Sequence, residues 1–225
     1  HHHNLQGFIQ KYNAYSHKPI VFLSVFEHNA NVIPWRETGC DIVYIPMTAE
    51  GDMDYKALGQ KLIQYQDYNA LKICSLSAGS NLTGALFDVD RIAVMCHKAK
   101  FLACFDYAAV CPYVEINVSG ITDHGVESFM KISAEDAKLA YKDAIYMSPH
   151  KLVGGPGSSG ILIAKRDILK SWRPHRLGGG IVFFVNEEDH EFIADKQDRE
   201  ESGTPGIVQD VRSGLVMQLK EAVSS

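Results

Sequence analysis

Two residues far apart in this chain are of types that could share one piece of chemistry. Lys151 follows the apolar run Ala144-Ile145-Tyr146 and precedes Gly154-Gly155-Pro156-Gly157, after which Ile161-Leu162-Ile163-Ala164 reads as a further strand. An amine at the end of a buried strand, beside a loop that lets backbone approach closely, suits a group that must shed its proton. Desolvation and nearby positive charge both lower a lysine pKa, and a neutral lysine can form a Schiff base. Upstream, Asp106 is the first acid of Lys100-Phe101-Leu102-Ala103-Cys104-Phe105-Asp106 and falls at the C-terminal end of that strand, where open α/β sheets place their ligands. Pyridoxal phosphate needs such a pair: a lysine to hold its aldehyde and an acid to keep its ring nitrogen protonated as an electron sink. Taken without Asp106, Lys151 reads equally well as a surface lysine beside an ordinary turn.

The elements that must position these groups alternate. Apolar runs over Ile20 to Phe26, Asp41 to Met47, Leu71 to Leu76 and Lys100 to Asp106 have strand length. Between them, Leu58, Leu62 and Tyr65 recur at helical spacing from Asp54 onward, and Ile92, Met95 and Ala99 do so in a helix that Asp88 opens. Nearly continuous apolar strands separated by helices predict an α/β fold, a mostly parallel sheet with helices on both faces. A short helix begun at Asn29 is interrupted by Pro34-Trp35, and Ser133-Ala134-Glu135-Asp136 resembles a capping box that opens another. Thr204-Pro205 reads as N-cap and first helical residue of a last helix, with Val208, Val211, Leu215 and Leu219 on one face. The charge-rich stretches at 187–189 and 195–201 read as solvated.

Composition narrows the function classes. The 225 residues are 46% hydrophobic and 22% charged, enough for a substantial core. A formal charge of -5 and the lack of a basic stripe argue against a nucleic-acid partner. No apolar run is long enough for a membrane span. Cys40, Cys74, Cys96, Cys104 and Cys111 show no metal-like spacing, and the odd count fits reduced thiols in the cytoplasm or another reducing compartment. His1-His2-His3 is either a tag remnant or the start of a helix running through Leu5, Phe8 and Ile9, and receives no function.

Several segments in order carry a family resemblance: Glu27-His28-Asn29-Ala30-Asn31 with Pro34-Trp35, Ser80-Asn81-Leu82-Thr83-Gly84, Asp106-Tyr107-Ala108, Ser148-Pro149-His150-Lys151, Gly178-Gly179-Gly180 and Glu201-Ser202-Gly203-Thr204-Pro205. From about Ile20 to the C-terminus the chain resembles the class V aminotransferase and cysteine desulfurase group of fold-type I pyridoxal-phosphate enzymes. The resemblance implies the large domain of that three-layer α/β/α fold, a homodimer and a small amino-acid substrate. It further implies that Lys151 holds the cofactor as an aldimine, Asp106 holds the ring nitrogen, His28 stacks on the ring and Asn81 contacts its oxygen or the substrate. The same resemblance implies that Ser148, His150 and Thr204 bind the cofactor phosphate, Thr204 from across the dimer.

The chain departs from that pattern in places. Ala109 stands where the desulfurase branch carries a glutamine that donates to the cofactor's phenolic oxygen, and the interval from Val114 to Lys142 is longer than usual, as an added helical excursion would be. Residues 1–225 read as a central large domain without the upstream phosphate loop or the small C-terminal domain. A second function therefore stands beside the enzyme: a non-catalytic dimerisation or binding domain that keeps the fold. A nucleotide cradle at Gly154-Gly155-Pro156-Gly157 fits less well, because a strand follows it rather than a helix.

Overall fold

Ile20-Val21-Phe22-Leu23-Ser24 has no polar residue before its last position, which suits a strand covered on both faces, and all five residues of β1 (Ile20–Ser24) are buried. The computed structural model describes residues 17–122 and 132–224. The chain divides into two units, His1–Tyr146 and Met147–Ser225. The helix expected through Leu5, Phe8 and Ile9 lies outside the described residues, as does part of the 114–142 interval.

In the first unit β1 is joined by β2 (Asp41–Ile45), β3 (Lys72–Ser77), β4 (Leu102–Asp106) and β5 (Ala144–Met147). The strands lie in the order β2-β1-β3-β4-β5, and each pairing is parallel. This order reverses between β1 and β3: the chain first winds outward to β2, then returns to the other side of β1. Such a switch leaves a crevice at the strands' C-terminal ends. The α/β class with a mostly parallel sheet is therefore the one the alternating pattern predicts.

Three helices follow the predicted sites closely. A 3₁₀ turn (Asn29–Asn31) precedes α1 (Ile33–Glu37), with Pro34 in its first turn. Pro34 thus helps start a helix where an interruption was expected, since a first-turn proline lacks only an N–H that would be unpaired anyway. α2 (Tyr55–Gln64) is capped by Asp54, which accepts the Ala57 N–H at 2.8 Å, and buries Leu58 and Leu62. α3 (Val89–Lys98) is capped in the same way by Asp88, and Ile92 is fully buried. Gly59 brings α2 close to Met95 of α3, where a Cβ would come within 3.3 Å of the methionine's terminal carbon.

Buried charges tie these elements together. Lys72 opens β3 and points its ammonium at the carbonyl oxygens of Tyr65, Gln66 and Ala99, at the C-terminal ends of α2 and α3. Burial pushes its pKa down, with Lys100 adding to the effect. On α3, Asp90 pairs with the fully buried Lys142 ammonium and accepts the Thr122 N–H at 2.8 Å. Burial, partly offset by Asp90, lowers the Lys142 pKa. His97 sets both ring nitrogens against oxygens, Leu139 O at 2.7 Å and Asp143 Oδ2 at 2.8 Å, and stacks on Tyr141. The described parts of the 114–142 interval are therefore fastened to α3. The helix expected at Ser133 is a single 3₁₀ turn, Asp136–Leu139, although Ser133 Oγ does accept the Asp136 N–H as a capping box requires.

The second unit holds a 3₁₀ turn (Pro149–Lys151), β6 (Ile161–Ala164), an antiparallel hairpin of β7 (Val182–Val185) and β8 (His190–Phe192), α4 (Lys196–Glu200) and α5 (Ile207–Ser224). The charge-rich stretches are structured. Asn186 turns the hairpin through Glu188 and Asp189, Asp195 caps α4, and Arg199 is buried on the carbonyls of Ile193 and Ser171. α5 starts at Ile207, so Thr204 and Pro205 precede the helix that they were expected to open. Val208, Val211, Leu215 and Leu219 are exposed, and Ser213 and Val216 form the buried side of α5.

Replacing Asp90 with alanine leaves the Lys142 ammonium buried without its carboxylate. We expect a loss of about 3–5 kcal/mol in urea unfolding, most of it regained in the Asp90→Leu/Lys142→Met double variant.

Candidate active site

Parallel pairing sets the ends of β1, β3 and β4 side by side, with Ser77 opposite Asp106 and Asp106 opposite Tyr146. Three predicted residues of the first unit sit at or just beyond these ends. Asp106 is the last residue of β4 and is half-buried; its Oδ1 accepts the Ala108 N–H at 2.8 Å, and the second oxygen adds further acceptor capacity. His28 is exposed in the loop after β1 and caps the 3₁₀ turn, its Nδ1 accepting the Ala30 N–H at 3.2 Å. With Nδ1 used as an acceptor, the neutral ring carries its proton on Nε2.

Asn81 is exposed at the tip of the loop after β3. That loop is closed by Ser80, whose hydroxyl oxygen accepts from the backbone of Leu82 and Thr83 while its own N–H donates to Ala85 O. Gly79 at its base has no room for a side chain, since a Cβ would lie 2.6 Å from Val110 Cγ1 and 2.9 Å from Ala85 O.

A residue without an assigned role in the sequence reading stands in the same place. The Glu27 carboxylate accepts from Ser24 Oγ at 2.5 Å, Asn31 Nδ2 at 2.7 Å, Ser77 N at 2.9 Å and Ser77 Oγ at 2.7 Å. Glu27 closes an apolar strand with an acid, as Asp106 does, and the same signal could have found it.

Within the second unit, Ser148, His150 and Lys151 share the turn that follows β5. Lys151 N donates to Ser148 O at 3.0 Å and Leu152 N to Pro149 O at 2.9 Å. Lys151 is exposed, which corrects the expectation of a lysine on a buried strand: β5 ends at Met147, and Pro149 begins a turn that puts the amine outside the apolar run. His150 is exposed and Ser148 half-buried. Gly155 holds the turn closed, since a Cβ there would lie 2.0 Å from Pro149 O. Thr204 is exposed in the loop before α5, where Gly203 N donates to Gly179 O at 2.9 Å and Gly178 packs on Ser202. The Gly178-Gly179-Gly180 segment is thus an anchoring point for the Thr204 loop rather than only a flexible link.

The cysteines are poorly suited to nucleophilic work. Cys74, Cys96, Cys104 and Cys111 are buried, and Cys40 is half-buried with its Sγ on Trp35 O. Burial pushes the Cys104 thiol up to about 12 and raises Cys74 well above its ordinary value. Among the described residues no cluster of histidine, cysteine and acid side chains could hold a metal ion, and no helix is long and apolar enough to cross a membrane.

A parallel sheet whose order reverses at β1/β3, with Asp106 at one strand end and His28 and Asn81 in the loops beyond two others, has the α/β architecture that places ligands at such ends. Residues 4–224 match the Aminotransferase class-V family. A probable cysteine desulfurase of Staphylococcus aureus is 26% identical over 195 residues, covering 85% of this chain and 41% of the relative. One of Treponema pallidum is 27% identical over 176 residues, covering 76% and 37%. Among solved structures, the cysteine desulfurase CsdA (S-sulfonic acid) from Escherichia coli superposes with a TM-score of 0.70 at 24% identity, over 90% of this chain and 45% of that one. The apo cysteine desulfurase from Thermococcus onnurineus NA1 gives 0.73 at 19%, over 94% and 47%. The chain belongs to the class V aminotransferase family, whose members depend on pyridoxal phosphate. It spans about two fifths of the length of the curated relatives it matches.

Taken unit by unit, the residue types suit this cofactor: the first presents an acid, Asp106, at a strand end and a flat ring, His28, in a loop beyond another, and the second an exposed amine, Lys151, with the hydroxyls of Ser148 and Thr204 and the imidazole of His150.

Two outcomes check this local chemistry. Burial keeps the Cys104 thiol protonated and out of reach of solvent, so alkylation of the folded chain followed by peptide mapping should label Cys40 first and leave Cys104 unmodified. Gly155→Ala should cost about 1–3 kcal/mol in urea unfolding, because Pro149 O must move to admit the methyl group.

Proposed function

We propose that this chain is the cofactor-binding part of a homodimeric pyridoxal-phosphate enzyme acting on an amino acid, of the cysteine desulfurase or class V aminotransferase type. The family match over residues 4–224 carries the reading. The names of the curated relatives make cysteine the first substrate to test.

Bound pyridoxal phosphate supplies an electron-poor ring that takes up negative charge from a substrate carbon. Lys151 provides the amine that anchors the cofactor, and later accepts and returns a proton at Nζ as general base and acid. Asp106 holds a proton on the ring nitrogen through a charge-assisted hydrogen bond. His28 would supply a flat ring to stack on the cofactor and exclude water from its reacting face. Asn81 orients the ring oxygen or the substrate with its amide. Ser148, His150 and Thr204 neutralise and bind the phosphate, Thr204 from the partner subunit. The Ala109 side chain offers no donor to the ring oxygen.

Adding pyridoxal phosphate to the purified chain should produce a visible absorbance band that borohydride abolishes, leaving the label on Lys151. Lys151→Ala should remove the band and lower any turnover about 10²–10⁴-fold. A colourless chain with unmodified Lys151 overturns the enzyme reading and supports a scaffold that has kept the fold for partner binding.

A further inference from the structure

The polar cluster at the β1/β3 reversal is built more heavily than a strand end requires. Glu27 Oε1 accepts from Ser24 Oγ and from the Ser77 backbone N–H, while Oε2 accepts from Ser77 Oγ and Asn31 Nδ2. Asn31 is itself buried. Its amide also reaches Ser75 O at 3.3 Å, and its Oδ1 accepts from Ser75 Oγ at 2.8 Å and Trp35 Nε1 at 3.3 Å.

His28 sits inside this clamp. The residue before it is Glu27, and the 3₁₀ turn it caps ends at Asn31, whose side chain returns to the same carboxylate. Asn31 N also donates to His28 O at 2.9 Å. The short segment that carries the imidazole is therefore closed at both ends on Glu27, and Glu27 is fixed to β3 through the N–H and the hydroxyl of Ser77. Neighbouring β3 leads into the Asn81 loop.

We infer that Glu27 is a positioning residue: its carboxylate fixes the orientation and Nε2–H tautomer of His28 and locks the His28 segment to the end of β3 that leads to Asn81. The role for the cofactor rests on the proposed function, whereas the effect on the ring does not. A carboxylate is required because each of its oxygens faces an N–H that can only donate, Ser77 N at Oε1 and Asn31 Nδ2 at Oε2. In a glutamine the amide NH₂ would meet at least one of these donors, and a buried donor left without an acceptor is costly. The hydrogen bond that sets the tautomer, Ala30 N–H to Nδ1, survives only while the turn stays closed.

The test uses the cofactor-free chain first. In long-range ¹H–¹⁵N spectra, wild-type His28 should show an unprotonated Nδ1 and a protonated Nε2. Glu27→Gln should move these signals towards the averaged values of a free imidazole, and Ser77→Ala, which removes one of the bonds, should move them part of the way. Pyridoxal phosphate, read by its visible band, should then bind about tenfold more weakly to Glu27→Gln, the equivalent of one lost hydrogen bond.

Unchanged His28 signals in a folded Glu27→Gln chain overturn the inference. If that variant does not fold, Ser77→Ala decides by the same spectra: a partial shift supports the role and no shift ends it. A wild-type chain that binds no cofactor while the His28 signals still respond to Glu27→Gln defeats the functional reading and leaves the positioning role standing.

Discussion

Parallel pairing of β1 with both β2 and β3 is the constraint on which the first unit depends. Parallel strands all end on one side of the sheet, so every loop that follows a strand gathers on that side. Reversal of strand order at β1/β3 then prevents a single connection from covering the ends, and the loops carrying His28 and Asn81 diverge there. The polar groups at this place, Ser24, Ser75, Ser77 and Asn31, are buried, and their hydrogen bonds run mainly through one half-buried carboxylate. A buried serine with its partners made costs little; the same residue unpaired would weigh against the fold.

Much of the first unit could be read from the chain because local and long-range signals agree there. Asp54 and Asp88 cap the helices that Leu58, Leu62 and Ile92 define by spacing, and apolar runs of strand length became β1, β3 and β4 with small shifts at their ends. Asp106 was legible as an acid at the end of such a run. Glu27 carries the same signal, an acid closing an apolar run, directly before His28.

The second unit was harder to read, for reasons specific to its residues. Apolar periodicity in α5 predicts a helix but not what covers it, and Val208, Val211, Leu215 and Leu219 face solvent in this chain. Thr204-Pro205 has the composition of a helix start, yet Gly206 intervenes and the first helical residue is Ile207. Lys151 follows an apolar strand, and only the 3₁₀ turn that begins at Pro149 turns it outward. The charged stretch at 195–201 is exposed or half-exposed, as its composition predicts, except at Arg199, which is buried on backbone carbonyls that a sequence does not display.

Lys72 has a further consequence for how the first unit opens. Its single ammonium holds the last carbonyls of α2 and α3 together, so neither helix can fray from its C-terminal end without releasing a charge that also serves the other. Two helices that are separate in sequence are thereby joined at the N-terminal end of β3, away from the loops that follow the strands. Opening either helix end therefore leaves the Lys72 ammonium short of an acceptor that the other end alone must replace.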